Sequence, residues 1–220
     1  ISWYSIDKSY NFHIKKINLV FMGYNLSVDR KKVELQIKQL SSQTKSVYLA
    51  RDLINEPANL EKTETFITII QNYIKKHKLP VKLTVLEEKQ LERMGMGLLL
   101  GVGAGSNLKN RPKLLILEYY GSQKFMEQNK ITKPEYILMG KGITFDTGGL
   151  DLKGSKSMVE MKTDLSGAAT VYAFLLGYAM NAGEKCITCI CTILTNKMNQ
   201  PLTPLLFCPQ SYLTLYTTVY

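Results

Sequence analysis

Two lysines and two aspartates lie close together in a glycine-rich part of the chain, and their types suit metal chemistry. They are Lys141, Asp146, Lys153 and Asp164. Carboxylates are hard oxygen ligands for a divalent cation such as Mg, Mn or Zn, and a lysine can join them as the neutral amine, which makes Lys141 a candidate nitrogen ligand. A protonated Lys153 can polarise a substrate carbonyl and stabilise the resulting oxyanion, while a metal-bound water acts as the nucleophile.

Each of these residues also has an ordinary structural explanation. Asp146 suits a turn, Asp164 suits the N-cap of a helix, and both lysines suit a solvated surface. Residue types and spacing alone leave both interpretations open.

The elements that must position these residues are strands alternating with helices. The apolar run at 136–139 predicts a buried strand that ends in a tight glycine-rich loop, and ligand sites of α/β folds lie beyond such strand ends. Further strands are predicted at residues 81–86, 114–120 and 186–194. Helices are predicted at 33–53 (stopped by Pro57), 66–74 (closed by Pro80), 87–94 and 168–180. We therefore expect an α/β fold in which helices flank a mixed sheet.

Composition narrows the possible partners. The chain has 220 residues, of which 45% are hydrophobic, so it can bury a full core. No run approaches the roughly 18 apolar residues that a membrane span needs, and we expect no signal peptide. The net charge of +10 comes from scattered lysines rather than a nucleic-acid-binding motif. We expect neither a membrane nor a nucleic acid as partner.

The number and positions of the cysteines and histidines disfavour a zinc finger and a Ser/His or Cys/His catalytic site. The four cysteines fit a reducing compartment. Cys186, Cys189 and Cys191 lie in a β-branched run, and their C-x-x-C lacks a second pair at zinc-finger spacing, so they are predicted to be core thiols. His13 and His77 are the two histidines, and neither is near a motif. Without G-x-S-x-G, a Ser/His or Cys/His hydrolase is disfavoured.

Three collinear segments carry a family resemblance. G-K-G-I-T-F-D-T-G-G-L-D-L-K at 140–153, followed by E-M-K-T-D at 160–164, resembles the signature of the leucyl aminopeptidase family of dinuclear metallopeptidases (the M17 cytosol aminopeptidases). Every spacing between the charged positions matches. A-R-D-L-I-N-E-P-A-N at 50–59 is similar to a second family motif, and G-V-G-A-G-S at 101–106 with P-K-L-L-I-L-E-Y-Y-G at 112–121 to a third. The resemblance covers residues 30–195.

The resemblance implies a role for each charged residue. Lys141 would be the amine ligand of the tightly held metal, Asp146 would bridge both metals, and Asp164 would be a further ligand of the tight site. Lys153 would contact the substrate carbonyl or the gem-diolate intermediate. The implied cofactors are two divalent cations, Zn or Mn with Mg possible. The implied activity is release of N-terminal, leucine-like residues from peptides, in the cytoplasm, by a homohexamer.

The chain also departs from the family pattern. The family completes its site with an N-T-D-A-E-G-R segment, which supplies an Asp ligand, a Glu ligand and the Arg that holds a bicarbonate; this segment is absent from the sequence. The resemblance fades after residue 199, and the first residue is Ile1. We expect an N-terminal-domain remnant at 1–29, a linker helix and start of the catalytic domain at 30–59, and an incomplete catalytic metallopeptidase domain at 60–220.

Two alternatives to an active aminopeptidase follow. The first is a truncated, inactive relative that folds, or binds a metal or a partner, without turnover. The second is an aspartic protease, because residues 146–148 spell D-T-G. That mechanism needs two D-T-G copies and an all-β fold, whereas this sequence has one copy within a helix-rich pattern.

Overall fold

Four strands of the described part of the chain form one mixed sheet. The computed structural model describes residues 29–121 and 133–196. The strands are β1 (Val81–Leu86), β2 (Lys113–Tyr119), β3 (Tyr136–Asp146) and β4 (Ile187–Asn196). Their order in space is β1-β2-β4-β3; β1 and β4 run antiparallel to β2, and β3 runs parallel to β4. The predicted α/β fold with a mixed sheet is confirmed.

Helices account for most of the remaining described residues. They are α1 (Arg30–Asn55), α2 (Thr63–His77), α3 (Glu88–Arg93), α4 (Gly97–Gly103), α5 (Ser155–Met158) and α6 (Ser166–Met180). Short 3-10 helices occupy Leu108–Asn110 and Met161–Leu165. The four predicted helices are confirmed, whereas α4 and α5 were not predicted. Helix α4 is hard to predict from the sequence because it contains three glycines, and glycine is a poor helix former.

The ends of α1 follow from local chemistry. The Asp29 side chain caps the helix by accepting from the backbone N–H groups of Lys31 and Lys32. At the other end, Glu56 is extended because Pro57 disfavours a helical conformation for the residue before it. Between these ends, α1 packs across α6.

Helices α1, α2 and α6 pack against the sheet and form the hydrophobic core with it. Leu115 and Leu117 of β2 and Cys189 of β4 are fully buried there. On α6, the Tyr172 hydroxyl donates to the Leu115 carbonyl at 2.8 Å, and its ring lies 6.0 Å from that of Phe66 on α2. Burial raises the pKa of Cys189 to about 12, so this thiol stays protonated. The prediction of core thiols is confirmed, since Cys186, Cys189 and Cys191 are all free and buried.

Strand β3 differs from its prediction in length and burial. The sequence predicted a buried strand ending at Met139, but β3 continues to Asp146. Its first residues are largely exposed because β3 lies at an edge of the described sheet. Gly140 and Gly142 were interpreted as turn residues, but they lie within the strand, where they allow close packing against α6. Lys141 is therefore a strand residue.

Some predictions lie outside the described residues. The predicted N-terminal remnant at 1–29 is described only at Asp29, and the tail at 200–220 is not described. The domain boundaries at residues 30 and 60 stay predictions. Within the described ranges, no helix combines the length and apolarity needed to cross a bilayer.

Candidate metal centre

Asp146 is the last residue of β3, and three groups hold its carboxylate. Oδ1 accepts from the Gly148 backbone N–H at 2.9 Å and from Asn196 Nδ2 at 2.7 Å. Oδ2 accepts from Lys153 Nζ at 2.6 Å. The Gly148 contact is a turn-forming bond of the kind predicted for an aspartate here. Asp146 therefore combines a turn contact with an ion pair.

These contacts control the charge of Asp146. Burial alone raises the pKa of a carboxyl, but the hydrogen bonds from Lys153, Gly148 and Asn196 outweigh it, so the pKa of Asp146 lies below its usual value. Asp146 is consequently an anion at neutral pH, which is the form that binds a cation.

The loop after β3 brings Lys153 back to Asp146. Gly148 and Gly149 have positive φ angles of 92° and 78°, which favour glycine. A Cβ at Gly148 would lie 3.1 Å from both the backbone N and Cγ of Lys153. The Lys153 N–H in turn donates to the Thr147 carbonyl at 3.0 Å. Glycine at position 148 therefore lets the loop close tightly enough for Lys153 to reach Asp146.

Lys141 and Asp164 form the second ion pair. Lys141 Nζ lies 3.0 Å from Asp164 Oδ1, with the lysine side chain 58% exposed and the aspartate 18% exposed. The backbones of β3 and α6 lie in contact at this point. A Cβ at Gly140 would lie 2.6 Å from the Gly167 carbonyl carbon, and a Cβ at Gly167 would lie 2.8 Å from the backbone nitrogen of Lys141. Glycines on β3 and α6 thus let the strand carry Lys141 up to Asp164.

One oxygen of Asp164 has no partner among the described residues. Asp164 Oδ2 is buried and accepts no hydrogen bond there. Asp164 lies inside the 3-10 helix Met161–Leu165, and the N-cap of α6 is Leu165, so the N-cap interpretation is wrong. A buried carboxylate oxygen without a donor is costly unless a cation or another donor meets it.

The four predicted site residues form two ion pairs. Asp146 contacts Lys153, and Asp164 contacts Lys141. Met161 connects the pairs, because its Sδ lies 3.0 Å from Lys153 Nζ and it begins the 3-10 helix that contains Asp164. Within residues 29–121 and 133–196, no group of three or more His, Cys, Asp or Glu side chains is placed to hold a metal ion.

Sequence reasoning assigned no role to Met161, Asn196 or Lys162. Lys162 Nζ donates to the Asn55 carbonyl at 3.2 Å, which ties the 3-10 helix to the end of α1. Met161 and Asn55 lie within the motifs described above, but nothing in the local sequence predicts their contacts. Asn196 lies 50 positions from Asp146 and at the fading edge of the resemblance, so only the sheet reveals their contact.

Known proteins match the part of the chain that contains the four candidate site residues. The model of the cytosol aminopeptidase family, catalytic domain, matches residues 48–202. A probable cytosol aminopeptidase of Wolbachia pipientis wMel is 41% identical over 140 residues, covering 63% of this chain and 25% of that protein.

Solved structures agree with this match. The apo leucyl aminopeptidase of Trypanosoma cruzi aligns with a TM-score of 0.64 at 28% identity, over 74% of this chain and 30% of that one. The bottromycin maturation enzyme BotP, solved in complex with Mn, aligns with a TM-score of 0.59 at 28% identity, over 78% of this chain and 34% of that one. The chain thus spans between a quarter and about a third of the length of these relatives. The mixed sheet and these likenesses exclude the all-β aspartic protease.

Proposed function

Because the chain belongs to the cytosol aminopeptidase family, we propose that it supplies part of the catalytic site of a metal-dependent aminopeptidase. The whole enzyme would release N-terminal, leucine-like residues from peptides. One observation carries the proposal: the two carboxylates and two lysines that match the family signature form two ion pairs on β3 and the segments that follow it.

In this proposal Lys141, Asp146 and Asp164 hold the divalent cations. The donor set fits, because Asp146 is ionised, and Asp164 has a buried oxygen without a hydrogen bond among the described residues. Lys141 becomes a ligand only after it releases its proton and leaves its ion pair with Asp164. The chemistry that two such cations, Zn or Mn with Mg possible, supply when bound is activation of a water molecule near neutral pH. The BotP complex with Mn supports divalent metal use in the family.

Lys153 acts on the substrate in this proposal. Its ammonium group, which the Gly148 turn places beside Asp146, would leave its ion pair with Asp146 and donate to the carbonyl oxygen of the scissile peptide bond. Negative charge grows on that oxygen as the nucleophile attacks, so a fixed positive charge stabilises the transition state more than the ground state. The peptide substrate, homohexameric assembly and cytoplasmic location of the whole enzyme are likewise proposed from the family.

A second function fits the chain as a separate polypeptide. Its sequence has no N-T-D-A-E-G-R segment, and its described residues hold no cluster of three or more His, Cys, Asp or Glu side chains suited to a metal. A relative of this kind would fold, or bind a metal or a partner, without turnover. We infer that the 220-residue chain alone behaves in this way, while a longer chain that carries the missing segment would be active.

Cation binding and peptide hydrolysis test the two parts of this proposal separately. Mn²⁺ binding to the 220-residue chain is followed by electron paramagnetic resonance, with Asp164→Asn as the variant that lacks a ligand charge. We expect the wild type to bind Mn²⁺ and the variant to bind it much more weakly. Equal binding by both would contradict the proposed site.

A hybrid enzyme tests catalysis. The matching segment of the Wolbachia relative is replaced by residues of this chain, which restores a full-length aminopeptidase around them. We expect chelator-sensitive hydrolysis of leucyl p-nitroanilide by the hybrid. A hybrid that folds and binds Mn²⁺ but does not hydrolyse the substrate would favour the inactive alternative.

A further inference from the structure

We propose that Asn196 is a positioning residue of the metal centre, which holds the Asp146 carboxylate in the orientation that binds a divalent cation. This inference rests on the proposed function, because it takes Asp146 to be a metal ligand. Asn196 itself contacts neither substrate nor metal in this proposal; it acts through Asp146.

The sheet places Asn196 opposite Asp146. Asn196 ends β4, and its Cα is the register partner of Asp146 across the parallel β3–β4 ladder, after an irregularity between Ile143 and Asp146. This register lets the Asn196 amide donate to Asp146 Oδ1 at 2.7 Å. The Gly148 N–H donates to the same oxygen at 2.9 Å. Two neutral donors on Oδ1 fix the carboxylate plane, and Oδ2 points to Lys153.

The backbone of Asn196 also holds the loop that follows β3. Its carbonyl accepts from the Thr147 N–H at 2.9 Å and from the Thr147 hydroxyl at 2.8 Å. A Cβ at Gly149 would lie 3.4 Å from Asn196 Oδ1, so the amide lies close against the loop. Asn196 therefore contacts the chain on both sides of Gly148, which leaves its amide little freedom to turn away from Asp146.

An uncharged donor suits this position. A lysine or arginine here would add a second positive charge beside Asp146, next to that of Lys153, and an aspartate would repel Asp146. An amide orients the carboxylate and leaves its charge intact. Carboxylates that bind metals are usually hydrogen-bonded in this way, and loss of such a partner typically weakens metal affinity by about 10- to 100-fold.

Mn²⁺ titration of the 220-residue chain, followed by electron paramagnetic resonance, measures this effect. Asn196→Ala removes the amide, and Asn196→Leu removes the donor while keeping a side chain of similar size. We expect both variants to bind Mn²⁺ about 10- to 100-fold more weakly than the wild type. Asn181→Ala is the matched control, because the Asn181 amide donates to the Gln39 carbonyl of α1 rather than to the site. Its affinity should equal that of the wild type.

Unfolding of the metal-free variants, followed by circular dichroism, separates positioning from stability. A purely structural role would lower the unfolding temperature but leave the Mn²⁺ affinity of the folded chain unchanged, which would overturn the inference. If neither Asn196 variant folds, nuclear magnetic resonance of the wild type decides. Zn²⁺ should shift the side-chain amide signal of Asn196 and leave that of Asn181 in place; an unmoved Asn196 signal would overturn the inference.

Different results would contradict the positioning role of Asn196 and the proposed metal centre. Asp146→Asn serves as the ligand control and should lose most of the Mn²⁺ affinity. If Asp146→Asn loses affinity while both Asn196 variants bind as the wild type does, only the positioning role is wrong. If the wild type itself binds no divalent cation, the proposed metal centre and the role of Asn196 fail together.

Discussion

Glu61 is expected to make the stability of the fold depend on pH, because it is a buried carboxyl without a hydrogen-bond partner among the described residues. It lies between α1 and α2, it is 1% exposed, and both carboxyl oxygens lack a donor. Burial, assisted by the negative charge of Glu56, raises the pKa of Glu61 from 4.5 to about 8. The folded chain therefore holds a proton on Glu61 at neutral pH, whereas the unfolded chain does not.

The direction and size of the effect follow from this difference in proton binding. Since the pKa of Glu61 is higher in the folded state, its contribution to stability is fully present below about pH 4.5 and is lost as the pH rises towards about 8. Each pH unit in that window lowers the free energy of unfolding by up to about 1.4 kcal/mol. Over the whole window the loss amounts to roughly 5 kcal/mol, a large fraction of the stability of an ordinary domain.

Glu61→Gln isolates this contribution, because glutamine has nearly the same shape and does not titrate. The free energy of unfolding is measured by urea titration at several pH values between about pH 5 and pH 9, for wild type and variant. We expect the wild type to lose stability relative to Glu61→Gln up to about pH 8 and to run parallel to it above. Glu56→Gln should move the end of this window to lower pH. Glu92→Gln, at an exposed glutamate of α3, is the matched control and should follow the wild type.

Parallel stability curves for wild type and Glu61→Gln across the whole range would refute this explanation. They would mean that Glu61 ionises without penalty in the folded chain, and so that water or a donor reaches its carboxyl group.

Three further outcomes are expected. In an intact parent enzyme, Lys141→Ala should reduce bound metal, whereas Lys153→Ala should keep it and lower kcat on the order of 100-fold or more; the reverse pattern would contradict the assigned roles. The 220-residue chain should show little hydrolysis of leucyl p-nitroanilide even with Mn or Zn, and robust chelator-sensitive turnover would contradict the half-site interpretation. Gly140→Ala should destabilise the fold by about 2 kcal/mol, because its Cβ would meet the Gly167 backbone, as urea unfolding can measure. Gly101→Ala, on α4 with open space around it, is the control and should be neutral or stabilising.

Elements with strong local signals were predictable from the sequence. Pro57 marks the end of α1, and the apolar, small-residue run of α6 stands out without any partner. Strand β3 was harder to predict, because a glycine such as Gly140 or Gly142 can have two opposite meanings in a sequence. Glycine often marks a turn, but here it lets β3 pack against the start of α6. Only the tertiary contact decides between these meanings.

The site shows the same division between local and non-local information. Spacing and resemblance singled out Lys141, Asp146, Lys153 and Asp164. They did not predict which lysine meets which aspartate, because the Lys141–Asp164 pair depends on how closely β3 approaches α6. The contact between Asn196 and Asp146 was still less predictable, since it depends on the register of β4 against β3.

The two ion pairs constrain how a metal would enter the proposed site. In this arrangement each aspartate faces one lysine ammonium, so the positive and negative charges balance without a cation. A cation that approaches Asp164 from the side of Oδ1 would have to displace the Lys141 ammonium, or bind the Lys141 amine after its proton has passed to solvent. A cation that approaches Asp146 competes with Lys153 for Oδ2, since Asn196 and Gly148 already occupy Oδ1. Metal loading would therefore release the Lys153 ammonium from Asp146, and the proposed mechanism requires that same group to be free to meet the substrate carbonyl.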